Sequence, residues 1–91
     1  MTHQQCTDFV WGNLPIRKHM LGRRVVRRMV SVALLRAAEG YSASDAADSV
    51  AADAREREST MGVVLALFLS ALVNQIVNLV FEWLQQRNRD E

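Results

Sequence analysis

The chain has 91 residues, 49% of them hydrophobic and 23% charged, with a formal net charge of +1. That length supports one domain whose core is small relative to its surface, so stability is expected to draw on a partner, a metal, disulfides or a bilayer. Cys6 is the single cysteine, which excludes an intrachain disulfide framework and fits a reducing compartment.

The total charge conceals a segregation. Residues 1–40 carry seven basic groups against Asp8 and Glu39. Residues 41–60 carry Arg55 and Arg57 against five acids, and residues 61–91 carry Arg87 and Arg89 against three, so the balance runs +5, −3, −1. A basic first segment is expected to meet something anionic, either the acidic second segment or an external phosphate surface.

Residues 1–15 lack sustained periodicity and include "WGNLP", in which Gly12, Asn13 and Pro15 are turn formers. We read an irregular arm ending in a turn, made sticky by Phe9, Val10, Trp11 and Leu14. The start has no apolar run behind a basic stretch, so no cleavable signal peptide is expected there. His3, Cys6 and His19 have side chains that ligate metals, but three ligands without a second CxxC or HxxxH element make a poor site, and no metal or other cofactor is expected.

Residues 16–60 are expected to form a helical hairpin. From Ile16 to Glu39, Val26, Met29, Val30, Ala33 and Ala37 recur at helical spacing, and Gly40 supplies a stop. Ser42 or Ser44 offers an N-cap, with Asp45 and Asp48 where carboxylates favour the positive helix end, opening an alanine-rich helix through about Glu58. Its inner face is Ala43, Ala47, Val50 and Ala54. The short link at Gly40 and Tyr41 makes the pair antiparallel, with the acidic helix placed to lie against the basic one. Ser59 and Thr60 are candidate caps for the C-terminal helix.

Residues 61–91 begin with "MGVVLALFLSALVNQIVNLVF", 21 residues without a charge. As a helix this run reaches roughly 31 Å, close to a hydrocarbon thickness of about 30 Å. Its thirteen Leu, Val, Ile and Phe residues favour insertion, while Asn74, Gln75 and Asn78 oppose it. Gly62, Ala66, Ser70, Asn74, Asn78 and Glu82 follow one another at intervals of four and form one ridge. Small residues at its start permit close helix approach, and its amides are placed to bond across to a neighbouring helix. In water the same run needs cover on most sides, and the alanine and valine faces of the hairpin offer little. A lone monomer in water is therefore the least expected state.

Orientation is set by charge. Arg55 and Arg57 before the run balance Arg87 and Arg89 after it, whereas Arg17, Lys18, Arg23, Arg24, Arg27 and Arg28 favour a cytoplasmic N-terminal region. Trp83 then serves as an interfacial aromatic. These six basic residues are the candidate anionic surface, facing lipid headgroups or, as a second candidate, DNA or RNA phosphates; the alternative is a solvated face paired with the acidic helix. "LLRAAEGYSASDAADSV" sets a small-residue turn between two helices, but the second offers Asp and Ala where a base reader offers Arg, Asn or Gln. Asp45, Asp48, Asp53, Glu56 and Glu58 read as a solvated face rather than an acid–base pair, and Ser70 has no histidine nearby, so no enzymatic activity is expected.

The expectation is an all-α protein: an irregular arm, a helical hairpin and a long apolar C-terminal helix that forms a single membrane span. It is expected to act as a non-enzymatic subunit packing in a larger membrane assembly, as a homo-oligomer or with other proteins, through Gly62, Ala66, Ser70, Asn74 and Asn78. The alternatives are a soluble cytoplasmic helical oligomer, such as a structural component of a phage or other assembly, and a holin-like permeabilising oligomer.

Overall fold

The computed structural model describes residues 3–14, 22–57 and 63–90. They form four helices, α1 His3–Asn13, α2 Arg23–Ala38, α3 Ala43–Arg57 and α4 Val63–Asp90, and no strand is present among the described residues. The all-α class is as the sequence led us to expect. α2 and α4 each pack against the other three helices, and α1 and α3 each pack against that pair.

The N-terminal segment differs from the expected irregular arm. Cys6, Val10 and Leu14 are buried at intervals of four, with Thr7 beside them, so a helical stripe exists once other helices are there to receive it. Local bonds reinforce it. The Thr7 hydroxyl donates to the His3 carbonyl at 2.9 Å, and the Gln4 amide donates to Asp8 at 3.0 Å. The turn formers of "WGNLP" act as the stop: the Asn13 amide donates to the Phe9 carbonyl at 2.8 Å and the helix ends there.

α2 begins seven residues later than the expected Ile16; residues 15–21 lie outside the described part of the chain. Its N-cap is Gly22, extended and without a side-chain cap bond. Val26, Met29, Val30 and Ala33 form the buried stripe. The C-terminus closes as a Schellman motif: Gly40 takes φ +91, its N–H donates to Ala37, and the Tyr41 N–H donates to Arg36 at 3.0 Å. α3 then starts with the Ser42 hydroxyl accepting from the Asp45 N–H at 3.2 Å. Its buried face is Ala46, Ala47, Val50, Ala51 and Ala54. Small side chains here let α3 lie close to its neighbours. Arg36 pins the closed end of the hairpin, donating to Ser49 at 2.8 Å and to Glu39 at 2.6 Å. Ser59 and Thr60 lie outside the described residues.

α4 has 28 residues and a length of about 42 Å, matching the 43 Å long axis of the molecule. It is long and apolar enough to cross a membrane. Its surface divides sharply. Leu69, Leu72, Val73, Ile76, Val77, Val80 and Trp83 are buried in the chain's own core. This stripe spans about 22 Å, close to the length of α2. Before it, Val63, Leu67 and Phe68 are 76%, 75% and 53% exposed. Cover for α4 comes from α1 as well as from the hairpin, and this is the element whose absence made the sequence look unable to bury the run. Trp83, expected at an interface, sits in the core with the Arg87 guanidinium 5.2 Å from its ring centre.

Candidate interaction surfaces

Four guanidiniums and one carboxylate define the basic surface. α2 and α3 run antiparallel, so Arg28 meets Asp53 and Arg24 comes level with Arg57. Arg28 donates to the two Asp53 oxygens at 3.3 and 3.4 Å, and Arg57, one turn on from Asp53, donates to it at 3.2 Å. Burial pushes the Asp53 carboxyl up, but the hydrogen bonds and charges of Arg28 and Arg57 outweigh it, and its pKa lies below the usual value. Asp53 thus holds two arginines side by side. Arg24, Arg28 and Arg57, with Val25, line an open depression of about 300 Å³. Arg24, Arg27 and Arg28, with His3 and Ser31, line another of about 250 Å³. Among the described residues neither Arg24 nor Arg27 makes an ion pair.

The six expected anion-binding residues therefore separate. Arg24, Arg27 and Arg28 are together on one exposed face. Arg23 turns toward α1, paired with Asp8 and lying 5.6 Å from the centre of the Trp11 ring; it fastens α1 to α2. Arg17 and Lys18 lie outside the described residues. Sequence reasoning missed Arg57 and His3. The signal for Arg57 was present, because an antiparallel hairpin turning at Gly40 brings residues whose numbers sum to about 81 level with one another.

The ridge on α4 lies away from the core. Ala66, Ser70, Asn74, Asn78 and Glu82 are all exposed, and Gly62 lies outside the described residues. None of the other three helices covers the ridge, and its amides face outward. Gln75, beside the ridge, is half-buried, and its side-chain oxygen has no hydrogen-bond partner among the described residues. Val63, Leu67 and Phe68 add large apolar side chains at the start of the same helix.

Catalytic and metal-binding geometry has little to build on. Cys6 is fully buried, and desolvation pushes its thiol up to about 11, which keeps it protonated and poorly nucleophilic at neutral pH. His3 lies beside the Arg27 carbonyl at 3.2 Å. His19 is outside the described residues, and no cluster of three or more metal-ligating side chains occurs among those described. Compared with known proteins, the chain matches no family model, no curated protein and no solved structure.

Proposed function

We infer that the chain is a small non-enzymatic subunit that packs within a larger membrane assembly through α4. The observation carrying this reading is the division of α4. One stripe is spent on the chain's own core, while the ridge Ala66, Ser70, Asn74 and Asn78 and the apolar residues Val63, Leu67 and Phe68 stay uncovered on a helix long and apolar enough to cross a membrane. Ala66 and Ser70 permit close approach of a second helix, and Asn74 and Asn78 supply hydrogen bonds across it. The basic face of α2 meets anionic lipid or an acidic partner.

Fractionation tests the compartment: the chain is expected to stay in carbonate-washed membranes and to leave with detergent. The mass of the extracted particle tests assembly. Ala66→Leu is expected to disrupt it by forcing helices apart, whereas Leu67→Phe, off the ridge and still apolar, leaves it intact. Equal effects from both changes would remove the ridge from the interface.

A soluble helical oligomer is the second reading, favoured by the enclosure of Leu69, Leu72, Ile76 and Val80 within the chain and by the polar outer face of Ser70, Asn74, Asn78 and Glu82. Recovery as a monodisperse oligomer without detergent selects it. Dye release from vesicles would select the permeabilising class instead.

A further inference from the structure

The first two turns of α2 concentrate positive charge where a helix tolerates it least. A helix N-terminus already carries partial positive charge and is stabilised by acids, yet the first turn of α2 contains none and Gly22 gives no side-chain cap. Arg23, Arg24, Arg27 and Arg28 occupy these turns instead. Asp8 answers Arg23, and Asp53 is shared between Arg28 and Arg57. Arg24 and Arg27 are answered by no carboxylate among the described residues. The depressions beside them thus collect four guanidiniums, Arg24, Arg27, Arg28 and Arg57, against one carboxylate.

Apolar surface starts only six residues after Arg57. Six residues of chain span at most about 21 Å, so Val63 at the start of α4 lies within that reach of Arg57. Val63, Leu67 and Phe68 are the most exposed large apolar side chains on α4. Arginines beside exposed Leu and Phe match a bilayer interface, where guanidiniums take headgroup phosphates and apolar side chains enter the acyl boundary. A nucleic acid has phosphates for the arginines but nothing for Leu67 and Phe68.

We propose that Arg24, Arg27, Arg28 and Arg57 form a cradle for phospholipid headgroup phosphates, acting with Val63, Leu67 and Phe68 as an interfacial docking surface for anionic bilayers. The proposal rests on the membrane reading above and adds its lipid chemistry. Arg23 is outside the cradle, since Asp8 and the Trp11 ring hold it against α1. Asp53 orients Arg28 and Arg57 toward the same depression.

The test is flotation of the full chain with vesicles of phosphatidylcholine alone or with a one-third share of phosphatidylglycerol. Wild-type chain is expected to prefer the anionic vesicles and to lose that preference as salt rises. Arg24→Gln with Arg27→Gln is expected to weaken binding to anionic vesicles about thirtyfold, at roughly fivefold per arginine near a charged surface, with unchanged helix content by circular dichroism. Arg23→Gln keeps wild-type vesicle binding and lowers the melting temperature. Leu67→Ser with Phe68→Ser weakens binding to both vesicle types.

Equal binding to neutral and anionic vesicles overturns the cradle. So does wild-type binding by the Arg24/Arg27 variant, or a loss on Arg23→Gln as large as that variant's. A single-stranded oligonucleotide that strips the chain from vesicles at equal phosphate, with binding indifferent to Leu67→Ser and Phe68→Ser, overturns the lipid assignment in favour of nucleic acid. Failure of the cradle is distinguishable from failure of the assembly reading. A chain that fractionates with membranes but ignores vesicle charge loses only the cradle, and one that binds anionic vesicles reversibly but never fractionates with membranes loses only the assembly.

Discussion

Leu69 and Leu67 stand two residues apart on α4 in opposite surroundings, 1% and 75% exposed, and truncating each to alanine measures which face of the helix is the chain's own core. The change removes three carbons, each worth about 0.8 kcal/mol when buried, so Leu69→Ala loses about 2.4 kcal/mol of transfer energy. The cavity left behind raises this to about 3–4 kcal/mol. Leu67 keeps only a quarter of its surface covered, so Leu67→Ala costs about 0.6 kcal/mol with no cavity term. For a domain of this size each kcal/mol shifts the midpoint by about 4–8 °C, and the two variants should differ by more than 10 °C, as a rough bound. Thermal and urea melts of the two proteins, followed by circular dichroism in the medium where the chain is monodisperse, read the difference. Equal costs, or a Leu69→Ala cost below about 1 kcal/mol, would refute the packing of α4, because a buried leucine truncation does not fall that low.

Gln75→Met should stabilise the chain by about 1 kcal/mol, since it removes an amide oxygen that has no partner among the described residues while keeping length and flexibility; a melt showing destabilisation would mean that the amide is engaged between chains. Gly40→Ala should cost about 1–2 kcal/mol, because the residue sits at φ +91 with open space around it, so the strain is in the backbone rather than in a clash; Gly40→Asn, which tolerates this region better, should lose less in the same melt. The Asp53 carboxyl has its pKa lowered on folding, so its contribution is present above its ordinary value of 3.8 and is lost as pH falls through the folded value. The melting-temperature gap between wild type and Asp53→Asn should therefore be constant near neutral pH and shrink below about pH 4.

Local signals made the hairpin legible. Gly40 and Ser42 act within a few residues of themselves, one by adopting a left-handed conformation and the other by accepting a backbone N–H, so their roles do not depend on distant parts of the chain. α1 is the opposite case: its stripe of Cys6, Val10 and Leu14 is short, its end carries turn formers, and its burial is supplied by α2 and α4. The same non-local element explains Arg23, whose pairing with Asp8 and Trp11 is invisible without α1. In α4 nearly every position is apolar, so composition alone does not separate the buried stripe from the exposed turns. The ridge of small and polar residues was the one legible mark of sidedness, and its members among the described residues are the exposed ones.

The two demands on α4 set how it can meet a membrane. Inserting its thirteen branched or aromatic apolar residues favours the bilayer by about 4–8 kcal/mol before the amides are counted. Withdrawing α4 from the bundle uncovers the faces it protects, principally those of Val10, Val26, Met29, Val30 and Val50, all buried in the shared core. If each loses about half its burial, the cost is about 4–7 kcal/mol. The terms are of one size, and Asn74, Gln75 and Asn78 tip the balance against a lone span. The stripe of α4 itself is neutral in this comparison, since lipid and core both keep it from water. Insertion becomes favourable only with a partner that covers the inner face of α1, α2 and α3 and pairs the amides of the ridge. Without that partner the bundle stays closed, and lipid meets α4 only at Val63, Leu67 and Phe68, beside the arginines.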